Sequence, residues 1–389
     1  MADAITLPRQ ERNWGIDMFR IVSMLLVVTL HVMGQGGVLS YSKGINNNFA
    51  WLFEVGAYCA VNCYALISGY VGVKSKFKYS NIVMLWLQVA FYTIGITLLF
   101  WIFHNEMTQE FFLEKVQAAY PKLSAQELES RAFWEMILCA IFPASKKEYW
   151  YFSAYFCMFF FIPLLNYVVN HLPRKQMRAM IIASFLLFSV LPTIGRSGLI
   201  GVSTGSSYLT VSTSGYTAMW LSTLYLIGAY ISKYDVLKKV PTPYFLAIYA
   251  ISVLVTWIAK LYVQGGSVMV SYTSPTILIC GVALLLFFSK INLNPLRHVI
   301  KFLSPLAFSV YLIHVHPLIW KQYMLRSCVD IARYPTWLMI LASIGAILAI
   351  YLICSAIDLI RHYLFKLIKL KPSLEKLERK ICGPLWEER

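Results

Sequence analysis

Long apolar segments alternate with short polar ones along almost the whole chain. Ten of these segments have the length of about 17 to 25 mostly apolar residues that a helix needs to cross a bilayer. They lie at residues 15–35, 49–72, 80–103, 149–169, 178–194, 216–232, 243–263, 272–289, 302–320 and 335–358. The pattern predicts an all-α, polytopic integral membrane protein with about ten transmembrane helices.

Basic residues are concentrated in alternate loops between the apolar segments. Clusters of Lys and Arg precede the first segment and follow the second, fourth, sixth, eighth and tenth. Cytoplasmic loops of membrane proteins carry such an excess of positive charge. The pattern therefore predicts that both termini are cytoplasmic, with an N-terminal segment at 1–14, a membrane domain at 15–360 and a basic tail at 361–389.

Two loops on the opposite side of the predicted membrane have a different character. The longest, 104–148, holds seven Glu against five Lys and Arg. Within it, Ser124 and Glu127 have the spacing of a capping box and predict a helix that runs toward Ile141, either against the outer membrane surface or in solvent. The segment from 195 to 215 is rich in Gly, Ser and Thr, and predicts an outer loop that covers a site or is disordered.

The composition excludes an ordinary soluble domain, because 59% of the 389 residues are hydrophobic and only 13% are charged. The net charge of +16 is dispersed in loops, so the expected partner of these cations is a lipid bilayer and not a nucleic acid. Eight cysteines are scattered without the spacing of a zinc site. Neither a metal nor a disulfide framework is indicated.

Three ionisable residues, Asp17, Arg20 and His31, lie within the first apolar segment. At about 100° per residue, Arg20 and His31 emerge on one helix face, roughly 16 Å apart along the axis, and Asp17 joins that face. A charge at the bilayer centre costs about 2.5 to 3.5 kcal/mol, so such residues usually face a polar site. We therefore predict a reaction centre inside the membrane. The alternative is an interfacial Asp17–Arg20 ion pair and a packing role for His31.

Three later segments carry further motifs. They are 67–70 (Ile-Ser-Gly-Tyr), 149–155 (Tyr-Trp-Tyr-Phe-Ser-Ala-Tyr) with 163–166 (Pro-Leu-Leu-Asn), and 311–314 (Tyr-Leu-Ile-His). Together with the spacing of Asp17, Arg20 and His31, they stand in the order found in the family-3 membrane acyltransferases, which the chain resembles over nearly its whole length. That family acylates extracytoplasmic glycans with a cytoplasmic acyl-CoA.

The resemblance implies an O-acetyltransferase of a bacterial plasma membrane, with acetyl-CoA as the acyl donor. The implied acceptor is a polysaccharide of the cell envelope or its lipid-linked precursor. Asp17, Arg20 and His31 are the expected catalytic group, in which neutral His31 acts as a general base or carries the acyl group itself.

Two further sets of residues are expected to bind the substrates. The CoA phosphates are assigned to basic residues of the inner side: Arg20, Lys74, Lys76 and Lys78. The acceptor is assigned to aromatic and histidine side chains: Trp150, Tyr151, Tyr311 and His314. An aromatic belt and interhelical packing are the alternative roles for this second set, and snorkelling at a helix end accounts for Glu54.

A different class of function is compatible with the same ionisable residues. In a transporter or flippase of a lipid-linked saccharide, Asp17, Arg20 and His31 would form a proton relay and no bond would be made. A non-catalytic membrane sensor is a third interpretation. The sequence leaves open the acceptor sugar and the oligomeric state, including a homo-oligomer.

Overall fold

The computed structural model describes residues 12–143, 149–196 and 215–386. Within these ranges the chain is helical and has no β-strand, which confirms the predicted all-α class. The helices of the first half are α1 (Trp14–Met33), α2 (Val38–Tyr41), α3 (Ile45–Ala57), α4 (Ala60–Gly72), α5 (Tyr79–Phe103), α6 (Asn105–Ala119), α7 (Ala125–Ile141), α8 (Trp150–Phe159), α9 (Ile162–His171), α10 (Arg174–Phe185) and α11 (Leu191–Arg196).

The second half continues the helical array. Its helices are α12 (Ala218–Tyr234), α13 (Thr242–Tyr262), α14 (Pro275–Lys290), α15 (Arg297–Leu303), α16 (Ala307–His314), α17 (Pro317–Ile319), α18 (Thr336–Leu367) and α19 (Leu370–Trp386). Seven helical segments of the described chain are long and apolar enough to cross a membrane, and the α8–α9 pair would be an eighth. The count of ten spans, the cytoplasmic termini and the domain boundaries stay predictions.

Prolines explain where the helices depart from the predicted segments. The segment 149–169 is a pair of helices bent by 56°, not a single straight helix, and Pro163 stands in the first turn of α9. The predicted helix at 302–320 ends instead at His314, and the next short helix begins at Pro317. A proline has no N–H for the preceding turn and clashes with it, so it starts a helix more readily than it continues one.

The helix α1 lies at the centre of the bundle. Its neighbours include α3, α4, α14, α15, α16 and α18, and 67% of its membrane-spanning window is buried, against 17% for the span Arg174–Arg196. A helix that is mostly buried belongs to a protein interior more than to a lipid-facing surface. The fold therefore encloses the one helix that carries Asp17, Arg20 and His31.

The helices α4 and α12 approach each other closely through two glycines. A Cβ atom on Gly69 would stand 1.9 Å from the carbonyl oxygen of Tyr225, and one on Gly228 would stand 2.1 Å from that of Leu66. Small residues allow membrane helices to pack backbone against backbone. Gly69, part of the motif at 67–70, is thus required for the close approach of α4 and α12.

The capping box in the loop at 104–148 is confirmed. The Ser124 N–H and hydroxyl both donate to Glu127, at 3.1 and 2.7 Å, and α7 ends at Ile141 as predicted. The helix packs against α5 and α6. Most of the predicted outer loop at 195–215 lies outside the described residues.

We expect Gly69→Ala to destabilise the protein by about 1 to 3 kcal/mol, the usual range for overpacking, because its methyl group would overlap the Tyr225 carbonyl. Thermal unfolding in detergent, followed by tryptophan fluorescence, measures the change. Gly95→Ala in α5 is the matched control, since its Cβ would meet no atom within 4 Å and alanine is the better helix former. Equal melting temperatures for the two variants would contradict the packing assigned to Gly69.

Candidate active site

The first turn of α1 carries a buried carboxylate between two arginines. Asp17 is 3% exposed. One of its oxygens accepts a hydrogen bond from Arg12 and the other accepts one from Arg20. The Asp17–Arg20 ion pair, which the alternative interpretation named, is therefore formed, with Arg12 as an additional partner. Because a buried carboxylate is costly unless it is paired and hydrogen-bonded, Asp17 holds both guanidinium groups at this end of the helix.

Two adjoining basic cavities open at this end of α1. The first has a volume of about 370 Å³ and is lined by Arg12, Asp17, Arg20 and Lys74. The second, of about 310 Å³, shares Arg20 with the first and adds the other two predicted lysines. Together the cavities present five cations and one carboxylate. We call them the basic cavities; their charge suits an anionic ligand.

The three lysines of the predicted phosphate site are not equivalent. The Nζ atom of Lys78 lies 3.0 Å from Glu375 of α19, and this lysine holds the pKa of Glu375 below its usual range. Lys74 stands over the ring of Tyr70 at 5.6 Å. Lys74 and Lys76 have no carboxylate partner in an ion pair within the described residues, so both can turn to a ligand.

A small chamber surrounds His31, farther along α1. It has a volume of about 40 Å³, and its wall includes Met24, Val61 and Tyr272. Trp150, Tyr151 and Tyr311, three of the predicted acceptor-binding residues, also line it. The ring of Trp320 packs edge-on against His31 at 5.1 Å. The imidazole therefore faces an enclosed, mostly aromatic space.

Tyr64 separates the chamber from the basic cavities, because it forms part of the wall of both. Its hydroxyl donates to the backbone carbonyl of Arg20 at 2.8 Å, and its ring meets that of Tyr151 edge-on at 6.2 Å. Tyr64 lies outside the motifs of the sequence, since the one at 67–70 begins beyond it.

The two predicted histidines are in direct contact. Nδ1 of His31 lies 2.8 Å from Nε2 of His314, and Nδ1 of His314 lies 2.5 Å from the backbone carbonyl of Val310. A carbonyl only accepts, so Nδ1 of His314 carries the hydrogen and donates it. In the neutral ring Nε2 of His314 is then an acceptor, and His31 must donate to it from Nδ1.

This chain of hydrogen bonds fixes the tautomer of His31. With its hydrogen on Nδ1, neutral His31 keeps a free electron pair on Nε2, which makes no hydrogen bond within the described residues. A histidine whose orientation and tautomer are set by a second group is the arrangement of a general base. Both ring nitrogens of His314 make hydrogen bonds within the protein, one to His31 and one to the Val310 carbonyl. The geometry therefore favours a positioning role for His314 over its predicted contact with the acceptor.

Two side chains that the sequence did not mark as functional lie near the chamber. Glu54 was attributed to snorkelling at a helix end, yet its Oε2 atom is inaccessible and accepts no hydrogen bond. Tyr272 lines the chamber, and the Asn62 amide holds its backbone carbonyl at 2.8 Å. Neither residue belongs to a motif, and only the packing of distant helices brings them to His31. Among the described residues, no group of His, Cys, Asp and Glu is arranged to hold a metal ion.

Searches of curated proteins and of solved structures find no match to this chain. A family model for the acyltransferase domain of family 3 matches residues 13–358, which is most of the chain and includes Asp17, Arg20, His31 and His314. This agrees with the resemblance seen in the motifs and with the apolar helices of the fold. The protein is therefore a multi-pass membrane protein that belongs to acyltransferase family 3.

Proposed function

We propose that the protein transfers an acetyl group from cytoplasmic acetyl-CoA to a hydroxyl of an extracytoplasmic saccharide, with His31 as the general base. The observation that carries the proposal is the free Nε2 of His31, which lines a chamber that shares Tyr64 with the adjoining basic cavities. The basic end of α1 then faces the cytoplasm, as the distribution of charged loops predicts, and the membrane is the bacterial plasma membrane.

Acetyl-CoA enters from the basic end in this proposal. Arg20, Lys74 and Lys76 bind its phosphates, since arginine and lysine are the usual partners of phosphate oxygens. The pantetheine arm passes Tyr64 and places the thioester beside His31. The reacting groups are thereby removed from bulk water, which strengthens the electrostatic interactions among them.

The chemical step uses His31 and His314 together. As the acceptor hydroxyl oxygen attacks the thioester carbonyl carbon, its proton passes to Nε2 of His31, and the carbon–sulfur bond breaks. The proton then leaves His31 for the CoA thiolate, which departs as free thiol. The Nδ1–H group of His31 donates to His314 throughout, so the positive charge that forms on His31 keeps a hydrogen-bond acceptor.

The size of the chamber supports a short acyl group. A volume of about 40 Å³ holds about three water-sized groups, and an acetyl group has three non-hydrogen atoms. Longer acyl chains would have to displace Met24, Val27 or Val61, which line the chamber and are buried.

Purified wild-type protein in nanodiscs is expected to release free thiol from acetyl-CoA when cell-envelope saccharide is supplied. His31→Asn should lower the rate by about 10²- to 10⁴-fold, the usual contribution of a general base. Thiol release followed with a chromogenic disulfide measures both rates. His298→Asn, at an exposed histidine outside the site, is the matched control.

A second variant tests the positioning of His31. His314→Leu removes the acceptor for Nδ1 of His31 and is expected to lower kcat more than it raises KM, while His314→Gln, which can still accept, retains part of the activity. One equivalent of thiol released without acceptor would instead favour an acyl-histidine intermediate. If neither the wild type nor any variant consumes acetyl-CoA, the transporter interpretation takes precedence.

The basic cavities predict how donor affinity depends on charge. The double variant Lys74→Ala with Lys76→Ala should raise KM for acetyl-CoA about tenfold with little change in kcat, since each exposed ion pair is worth up to about 1 kcal/mol. The effect should shrink as salt is added. The control variant, Lys175→Ala with Lys239→Ala, removes two exposed lysines outside the basic cavities. An equal rise in KM in the control would show that the cavities do not bind acetyl-CoA through Lys74 and Lys76.

The chamber predicts that its wall sets the acyl length. Val61→Ala widens the space at His31 and should raise the preference for butyryl-CoA over acetyl-CoA about tenfold, because one methylene in a pocket is worth about 1 to 3 kcal/mol. Val253→Ala is the control, since both valines are 7% exposed and only Val61 lines the chamber. The same change in both variants would show that chamber volume does not select the acyl group.

A further inference from the structure

Glu54 presents a carboxylate with unused hydrogen-bonding capacity beside the His31 chamber. Its Oε1 atom would lie 3.9 Å from a Cβ on Gly34, and Gly34 directly follows the last residue of α1, three residues beyond His31. The carboxylate also interacts electrostatically with the hydroxyls of Tyr58 and Tyr272. Glu54 therefore lies about one helical turn from His31, on the side away from the basic cavities.

The surroundings of Glu54 leave its charge without a protein partner. None of the ion pairs within the described ranges involves Glu54, and its buried Oε2 atom accepts no hydrogen bond. The guanidinium of Arg196 is directed to the hydroxyls of Ser271 and Thr273 and not to this carboxylate. An unpaired buried carboxylate is costly as an anion, and a ligand that donates hydrogen bonds to Glu54 would stabilise its charged form.

Four aromatic rings form a continuous cluster beside this carboxylate. The centroids of Tyr58 and Tyr272 are 4.9 Å apart, Trp150 stacks on Tyr272 at 5.8 Å, and Tyr216 meets Trp150 at 4.5 Å. Two of these rings, Trp150 and Tyr272, also line the His31 chamber. A ligand held here would have an apolar face against the rings and would reach His31 with its edge.

We propose that Glu54 and these rings bind the acceptor as an uncharged sugar. The apolar C–H face of the sugar lies on the rings, and its hydroxyls donate to the carboxylate, which has two oxygens able to accept them. A uronic acid or another anionic sugar is disfavoured, because its carboxylate would meet that of Glu54. This inference rests on the proposed function, which places the acceptor hydroxyl at His31. It adds that the acceptor sugar carries no charge.

The test measures sugar binding separately from catalysis. Methyl β-glycosides of glucose, galactose and mannose are titrated into wild-type protein in nanodiscs without donor, with methyl β-D-glucuronide as the charged counterpart. At least one neutral glycoside should bind the wild type more tightly than the glucuronide. Glu54→Gln should weaken that binding at least tenfold and reduce the discrimination against the glucuronide, while Glu54→Asp, which keeps the charge, retains more of both.

Two controls separate this role from a structural one. The affinity for acetyl-CoA should be unchanged in Glu54→Gln, and Glu110→Gln, at an exposed carboxylate of α6, should leave sugar binding unchanged. The inference is overturned if no neutral glycoside binds the wild type, if the glucuronide binds best, or if Glu54→Gln changes the affinity for acetyl-CoA and sugar alike. Sugar binding without release of CoA thiol would leave Glu54 in its role and refute the acyl transfer.

Discussion

Ionisable side chains cannot face hydrocarbon at an acceptable cost in free energy, and α1 carries three of them. The bundle meets this constraint by surrounding α1 with other helices and by giving its polar groups partners. Asp17 is held between Arg12 and Arg20, and His31 is held by His314 from the distant helix α16. The position of the site in the interior follows from the need to keep these groups away from lipid.

The two ends of the site differ in charge, and one helix, α1, carries residues of both. Arg20 and His31 are eleven residues apart, which fixes their separation along the axis at roughly 16 Å. One end opens into cavities that present five cations and one carboxylate, and the other faces a chamber walled by aromatic rings. A donor with an anionic carrier at one end and a reactive group at the end of a long arm would fit the basic cavities and the chamber, respectively. Tyr64 lines both spaces.

Buried polar groups in the described chain fall into two kinds. Asp358 and Arg361 of α18 form a doubly hydrogen-bonded pair at 2.6 and 2.7 Å that also accepts the Tyr92 hydroxyl, so its bonds are made within the protein. The hydroxyl of Tyr151 and the Oε2 atom of Glu54 are two of ten buried side-chain atoms in the described residues that make none. Satisfied networks stabilise a fold, whereas unsatisfied groups in a native structure call for another explanation. Here both lie at or beside the chamber, where a ligand can supply the missing bonds.

The sequence by itself determined the helical class, the family and the residues on α1. Apolar segment length, the spacing of Asp17, Arg20 and His31, and the order of the motifs are properties of the chain read along its length, and local periodicity is enough to interpret them. The helix from Ser124 to Ile141 was equally predictable, because a capping box acts between residues three positions apart.

Only the tertiary structure decided how these groups work together. The contact between His31 and His314 joins residues 283 positions apart, and it sets the tautomer of His31. No motif in the sequence distinguishes Glu54, Tyr64 or Tyr272. Packing of the helices brings these residues to the chamber or next to it. The physical reason is that hydrogen bonds, burial and cavity shape depend on which helices become neighbours, and in an apolar chain helical periodicity does not specify those neighbours.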